Sequence, residues 1–247
     1  MLAAATKGRY HHEPFNFKTH PERKSHWLAH REATSQDTDM KTILSQVTQP
    51  FGWKEWITRR NIVIKDVHIW TAAPFVDVKL QPNMVIIVRH PCAVAASWAR
   101  LEYSNRSIDR LLKQKSLVDR YLKDYVPHIN SSNNYFFRIG AFWGAAYQTL
   151  AEMTKSHRHW TWVKHENMCE APYEMLKKIT SKMGVDCHEN GHRFIYKQNT
   201  ETKSNDPYSA KRKTKQQKDK WKDELSHRQQ QNVIDGASAF PIFKHKY

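Results

Sequence analysis

Short runs of β-branched residues bounded by polar residues mark the middle of the chain. Residues 61–65 (NIVIK) and 83–88 (NMVIIV) have the length and composition of buried strands. The segment between them, residues 69–80, is apolar enough for a crossover helix, although Pro74 interrupts it. Two apolar strands joined in this way favour a βαβ unit in a parallel sheet. A third run at residues 160–166 (WTWVKHE) predicts a further inward strand.

The spacing of apolar positions predicts helices over most of the remaining chain. Pro91 suits the first turn of a helix that continues through residues 92–101. Further helices are predicted at residues 107–126, 135–155, 171–184 and 226–237, the third ending at Gly184. Residues 1–40 are irregular by pattern, and the Lys-rich stretch 197–220 predicts a mobile basic loop. The expectation is one α/β domain over residues 1–247.

Composition narrows the class of partner. The chain has 247 residues, of which 39% are hydrophobic and 12% aromatic, and this composition argues against a disordered protein. Lysine and arginine outnumber acidic residues to give a formal charge of +16. That balance favours an anionic partner, namely a nucleic acid, a nucleotide, a sulfated or phosphorylated ligand, or an acidic membrane surface.

Cysteine usage and hydropathy indicate the compartment. Three scattered cysteines exclude a disulfide framework and a cysteine-based zinc site. No apolar run approaches the roughly 20 residues that span a bilayer, and the first residues lack the apolar stretch of a signal peptide. A cytoplasmic location is therefore expected, with the Golgi lumen as the alternative if an N-terminal anchor is missing from this chain.

Arg89 is the first candidate for binding chemistry. It stands where the predicted strand 83–88 ends, and ligands of open parallel sheets bind outside the carboxyl ends of the strands. A guanidinium offers a planar fork of donors to phosphate oxygens, the next helix would present its N-terminal N–H groups, and Ser97 would add a hydroxyl. These residues predict a phosphate-monoester site. The alternative is an arginine paired with a carboxylate at the sheet edge.

The letters from Arg89 to Ser97, R-H-P-C-A-V-A-A-S, resemble the segment by which sulfotransferases hold the 3′-phosphate of PAPS (3′-phosphoadenosine 5′-phosphosulfate). The resemblance continues in order along the chain, at residues 11–16 (HHEPFN), 62–70 (IVIKDVHIW), 162–185 and 211–226. It implies a three-layer α/β fold in which helices flank a mostly parallel central sheet, as in P-loop NTPases. It also implies PAPS as co-substrate, no metal, and a small-molecule or carbohydrate acceptor.

One signature of that family has no match in this chain. The family's N-terminal phosphate loop is rich in Gly, Ser and Thr and holds the 5′-phosphosulfate, but only ten residues precede HHEPFN. The first βα unit is therefore expected to be absent, either because the chain is a fragment or because it is a degenerate relative. Loss of charge stabilisation at the leaving group should sharply reduce catalysis.

Candidate catalytic residues follow the predicted strand 61–65. In the family a His or a carboxylate from this region often acts as the base, and here the region offers Lys65, Asp66 and His68. A histidine near its ordinary pKa of about 6.5 is a ready base. A structural role for His68 stays open, and Asp66 could instead cap the next helix.

Later segments add candidates for the nucleotide site. Arg212 and Lys213 lie in the basic loop and are candidates for the 3′-phosphate, with Trp221 packing the loop down; the alternative is a solvated basic run. Glu166 is interpreted as holding a site backbone or a neighbouring cation. H-E-N-G-H at residues 188–192 matches H-E-x-x-H formally, but Asn190 and Gly191 are poor interior helix residues, so no zinc site is expected.

Three functions are compatible with these features. The first is a PAPS-dependent sulfotransferase that moves a sulfuryl group to a hydroxyl or amine. The second is a truncated or degenerate non-catalytic binder of a 3′-phosphonucleotide or polyanion. The third is a basic nucleic-acid-binding protein, which is placed last because no recognised binding module is present, so no nucleic-acid partner is expected.

Overall fold

The computed structural model describes residues 1–49, 61–200 and 218–247, and the side chains of residues 198–200 are outside this description. Four strands are found there: β1 (Arg9–His12), β2 (Ile62–Lys65), β3 (Val85–Val88) and β4 (Thr161–Lys164). The α-helices are α1 (Leu2–Ala5), α2 (Thr38–Thr48), α3 (Ala73–Leu80), α4 (Pro91–Arg100), α5 (Ser107–Leu112), α6 (Lys115–Leu117), α7 (Val126–Ile129), α8 (Tyr135–Ser156), α9 (His165–Glu170), α10 (Pro172–Lys182), α11 (Glu189–Thr200), α12 (Trp221–Glu224), α13 (His227–Ser238) and α14 (Pro241–Lys246). Short 3₁₀ segments occur at Pro21–His26, Trp70–Ala72 and Lys123–Tyr125, and a π-helical turn at Val118–Leu122.

The chain divides into two compact units. As far as it is described, the first unit contains residues 1–49, 61–83 and 170–200, and the second contains residues 84–169 and 218–247. The single domain over residues 1–247 stays a prediction. The predicted basic loop at residues 197–220 falls largely outside the described residues, with its first residues in α11 and its last in a turn.

The first unit is built around a parallel strand pair. β1 and β2 pair in the register Arg9↔Ile62 to His12↔Lys65. The segment 1–40, irregular by pattern, therefore supplies a strand. The Arg9 guanidinium supports this strand by donating hydrogen bonds to the carbonyls of Val47 and Gln49, at 3.0 Å and 2.6 Å. The core of this unit consists of buried residues from α2, α3 and the segments that precede them: Phe15, Met40, Leu44, Ala72 and Phe75.

The second unit is centred on the long helix α8. β3 and β4 pair in parallel in the register Val85↔Thr161 to Val88↔Lys164. Helices α4 and α13 pack on α8 around a buried cluster: Cys92, Ala95, Ala96, Ile139, Leu225 and Val233. Ser226 begins α13 with a capping box, since its side chain accepts from the Gln229 N–H and the Gln229 side chain accepts from the Ser226 N–H.

The three predicted strands are found, as β2, β3 and β4, but they do not pair as expected. The molecule is mixed α/β and mostly helical, with two small parallel two-stranded sheets among the described residues. β2 pairs with β1 and β3 pairs with β4, so the predicted βαβ pairing of β2 with β3 is not the one observed. The three-layer fold with one mostly parallel central sheet stays a prediction. Within the described ranges, no helix is both long and apolar enough to cross a bilayer.

Candidate functional site

Arg89 lies directly after β3 in the second unit, with its guanidinium partly buried. Its backbone carbonyl accepts a hydrogen bond from Trp143 Nε1 at 2.7 Å, which fixes the end of the strand. Its side-chain Nε is buried and has no hydrogen-bond partner among residues 1–49, 61–200 and 218–247. No carboxylate forms an ion pair with Arg89 within the second unit as described, so the paired alternative raised by the sequence is not what the structure shows.

The electrostatics of Arg89 reflect this missing partner. Burial lowers the pKa of Arg89 from its ordinary value, and the nearby Cys169 and Glu166 groups only partly oppose that effect. A half-buried cation without a hydrogen-bonded counterion is costly in free energy. An anion bound at Arg89 would remove that cost.

The sequence predicts that the N-terminal amides of α4 are open to a ligand, and the structure shows that they are not. His90 is the N-cap, and its Nδ1 accepts the Cys92 N–H at 3.2 Å. The His90 carbonyl accepts the N–H groups of Ala93 and Val94, at 2.9 Å and 3.1 Å. The first amides of the helix are therefore used inside the protein. Side chains rather than these amides are left to bind an anion here.

Ser97 lies on α4 with no hydrogen bond from its hydroxyl within the second unit as described. Arg100 follows one turn later on the same helix face. Its guanidinium contacts both oxygens of the Glu224 carboxylate, at 3.0 Å and 3.1 Å. Arg100 is also close enough to Arg89 to lower its pKa. The structure thus places two cations near each other at this end of the unit, one neutralised by Glu224 and one not.

Glu166 holds the loop between β3 and α4 in place. One carboxylate oxygen accepts the backbone N–H of His90 at 2.8 Å, and the other accepts the Tyr247 hydroxyl at 3.0 Å. This geometry matches the interpretation that Glu166 holds a backbone segment of the site. Because both oxygens have donors, Glu166 acts as a brace and not as a counterion paired with Arg89.

Aromatic rings cover the same loop. Trp221 stacks on His90 with a centroid separation of 4.4 Å and an interplanar angle of 7°. Tyr247 meets the His90 ring edge-on at 4.8 Å. Trp221 begins α12, just after the turn at residues 218–220, so its packing on His90 holds the start of this helix against the loop beside Arg89.

His90 should make stability depend on pH. Burial lowers the pKa of His90 from 6.5 to about 4, although Glu166 acts in the opposite direction. The unfolded chain therefore binds a proton more readily, and the stabilisation is complete above about pH 6.5 and lost as the pH falls toward 4. We expect the free energy of unfolding to fall by about 2 kcal/mol more between pH 7 and pH 5 in the wild type than in His90→Asn. Urea unfolding at both pH values measures this.

Asparagine suits that comparison because it is a good N-cap that does not titrate. The other histidines are shared by the two proteins, so their contributions cancel in the difference. Equal pH dependence in wild type and variant would show that His90 is not buried as a neutral ring.

The predicted catalytic trio lies in the first unit, at the end of β2. The Lys65 ammonium is paired with the Glu13 carboxylate. The Asp66 side chain is almost fully buried at 2% exposure. His68 Nδ1 lies 3.5 Å from an Asp66 oxygen and makes no hydrogen bond there, and the His68 ring lies 6.4 Å from the Trp27 ring. The three residues are neighbours, but Lys65 and Asp66 already have partners.

Asp66 has a clear local role. Its Oδ2 accepts the Phe15 N–H at 2.9 Å, and its Oδ1 accepts the N–H groups of His68 and Ile69 at 2.6 Å and 3.2 Å. These bonds tie β2 to the segment after β1 and begin the turn before the 3₁₀ segment Trp70–Ala72. The capping role that the sequence left open for Asp66 is the one that these contacts favour. His68 is the member of the trio whose ring nitrogen is left without a hydrogen-bond donor or acceptor.

Two predicted binding residues, Arg212 and Lys213, lie outside the described residues, so their roles stay predictions.

The H-E-N-G-H segment is helical from its second residue, contrary to the expectation that no helix carries it. α11 begins at Glu189, and His188 precedes it, accepting the Asn190 N–H on its ring and the Gly191 N–H on its carbonyl. Glycine stands at position 191 because α11 packs closely there. A Cβ at this position would lie 2.7 Å from side-chain atoms of Ala5 and Leu176. Among the residues that the structure describes, no three His, Cys, Asp or Glu side chains converge to hold a metal.

Sequence reasoning missed His90 and Tyr247. His90 stands between Arg89 and Pro91, in the slot before a helix-starting proline, which is a local signal for an N-cap. Nothing local marks Tyr247, because its partners Glu166 and His90 are distant in the chain.

Comparisons with protein-family models, curated proteins and solved structures found no match to this chain.

Proposed function

We propose that the second unit binds a phosphate monoester at Arg89, and that this group is the 3′-phosphate of an adenine nucleotide. The observation that carries the proposal is the half-buried Arg89 guanidinium at the carboxyl end of a parallel strand, with no ion-paired carboxylate among the described residues. Ser97 contributes a free hydroxyl from the following helix. The resemblance of residues 89–97 to the sulfotransferase segment favours PAPS as the nucleotide.

On this proposal the protein is a domain of the sulfotransferase type, with the three-layer parallel-sheet fold of that family. The oxygen of an acceptor hydroxyl, or an amine nitrogen, attacks the sulfur of PAPS. The bond from sulfur to the phosphate oxygen breaks, and its electrons leave with adenosine 3′,5′-bisphosphate. The acceptor proton passes to a base, and the sequence predicts His68 for this role; within the first unit as described, Nδ1 of its imidazole has no hydrogen bond. Asp66 and Lys65 then act as positioning residues.

A specific observation also favours the second candidate, a binder without catalysis. Lys65 is paired with Glu13, and Asp66 accepts three backbone N–H groups, so neither side chain is free for chemistry. The Arg89 site does not depend on these residues, because it is built within the second unit. Nucleotide binding is therefore the common core of both candidates, and sulfuryl transfer is the further step.

Thiol chemistry supports a proposal for the compartment. Cys92, Cys169 and Cys187 form no disulfide with one another, and the first two are buried. Free buried thiols are typical of a reducing environment. We infer the cytoplasm as the location, and a small-molecule or carbohydrate acceptor as the partner.

Adenosine 3′,5′-bisphosphate should raise the melting temperature of the full chain, and 5′-AMP should do so much less. A ligand that binds only the folded state stabilises it according to its concentration and affinity. Of the two nucleotides, only adenosine 3′,5′-bisphosphate carries the 3′-phosphate that Arg89 is proposed to bind. Thermal unfolding at equal ligand concentrations and equal ionic strength measures the difference. Equal shifts, or no shift with either nucleotide, would remove the 3′-phosphate assignment.

A further inference from the structure

A second group of cations lies in the same unit, at the end of β4. Lys164 is the last residue of that strand, and its Nζ lies 5.0 Å from the centre of the Tyr247 ring. Lys246 is the last residue of α14, and its Nζ lies 4.8 Å from the centre of the Trp162 ring. Trp162 and Lys164 are two residues apart in a strand, so they share one face of the sheet. The two ammonium groups are thus directed to one surface.

The two lysines repel each other. Burial lowers the pKa of Lys246, and the charge of Lys164 lowers it further. Neither lysine forms a hydrogen bond or an ion pair within the second unit as described. The neighbouring carboxylate, Glu166, has both oxygens occupied by His90 and Tyr247. Both cations are held over aromatic rings, and neither is paired with an acidic side chain within the second unit as described.

Ordinary surface lysines avoid this arrangement, because long side chains can turn away from one another into water at little cost. Here the contacts with Tyr247 and Trp162 hold both side chains near the carboxyl end of β4, which is the end of a parallel strand where ligands bind. An oxyanion between the two ammonium groups would remove their repulsion and form charge-assisted hydrogen bonds with both.

We propose that Lys164 and Lys246 form a second oxyanion site, additional to Arg89, which binds a sulfate, phosphate or carboxylate group of an anionic ligand. The inference does not rest on sulfuryl transfer, since it uses only contacts of these two lysines. If the sulfotransferase proposal holds, the site selects an acceptor that carries an acidic group.

The test uses the full chain with the Arg89→Met substitution, so that Arg89 no longer competes for the anion. Inorganic sulfate, inorganic phosphate and glucuronate are titrated separately at constant ionic strength, and binding is followed by calorimetry. We expect at least one of them to bind, and the strongest binder identifies the oxyanion chemistry. Adding Lys246→Gln should weaken that binding about tenfold or more, whereas Lys246→Arg should retain it.

Lys244→Gln is the matched control, because Lys244 is exposed on the same helix and its loss changes the net charge equally. Binding in that variant should match the Arg89→Met parent. Equal weakening by Lys244→Gln and Lys246→Gln, or no anion binding by the parent, would overturn the second site. Neither result bears on Arg89, which is tested separately by adenosine 3′,5′-bisphosphate in the otherwise wild-type protein.

Discussion

Replacing Arg89 with methionine is expected to weaken the binding of adenosine 3′,5′-bisphosphate by about 10- to 100-fold. Loss of a charged hydrogen-bond partner costs about 1.5–3 kcal/mol, which corresponds to that range of affinity. The same substitution should leave the stability of the unliganded protein unchanged or raise it by about 1 kcal/mol, because it removes a half-buried cation that forms no ion pair in the described part of the chain. Calorimetric titration and urea unfolding measure the two effects.

The opposite signs of these effects distinguish a binding residue from a structural one. Arg228 offers a matched control, since it is an exposed arginine in α13 and Arg228→Met makes the same change of charge. That control should bind the nucleotide as the wild type does. If Arg89→Met destabilised the free protein and bound the nucleotide normally, Arg89 would be part of the framework and the proposed site would be wrong.

Alanine at Gly140 or at Gly236 is expected to destabilise the protein by about 3 kcal/mol or more. A Cβ at Gly140 would lie 2.0 Å from the Val233 carbonyl oxygen, and a Cβ at Gly236 would lie 2.1 Å from the Phe137 carbonyl oxygen. Each helix, α8 and α13, thus supplies one glycine where the backbone of the other approaches. Since both obstacles are backbone atoms, the helices must separate to admit a methyl group. Urea unfolding of the two variants measures the loss.

Intrinsic helix propensity predicts the reverse sign, because alanine favours a helix interior by about 1 kcal/mol over glycine. The exposed Ser238 in α13 provides a control: Ser238→Ala adds no atom to the interface and should change the free energy of unfolding by less than about 0.5 kcal/mol. Unchanged or increased stability in Gly140→Ala would mean that α8 and α13 do not pack backbone to backbone.

Strands and helix ends were predictable where the signal is local. The β-branched runs before Lys65 and Arg89 become β2 and β3, and Pro91 opens α4 as expected. Gly184 follows α10 with a positive φ of 65°, a conformation that favours glycine. These features depend on residues within a few positions of one another, so they can be predicted from the sequence alone.

The region 107–126 shows where a periodic pattern was not sufficient. It predicts one helix, whereas the structure has α5, α6 and a π-helical turn followed by a 3₁₀ segment. Leu117 and Leu122 are both fully buried although they are five residues apart. An α-helix would turn them to different sides, and the wider π turn brings them to the same side. Packing against the core, rather than local propensity, decides this backbone.

Strand pairing was decided by tertiary structure. The letters RYHH at residues 9–12 carry no strand pattern, yet they form β1 because β2 offers an edge for parallel hydrogen bonds. The sequence of β2 does not predict these hydrogen bonds either, because its apolar run could pair with any of several strands. Parallel pairing joins residues far apart in the chain, so a local pattern predicts the strand but not its partner.

For the candidate site, the sequence by itself determined the position of Arg89 at the end of a buried strand and of Ser97 on the helix that follows. Only the tertiary structure decided that no carboxylate of the described residues pairs with Arg89, that His90 uses the first amides of α4, and that Glu166, in the helix after β4, braces the loop. The physical reason is that charge and hydrogen-bond satisfaction depend on atoms brought together from distant parts of the chain. A sequence motif places a cation, and the folded surroundings determine whether it remains available to a ligand.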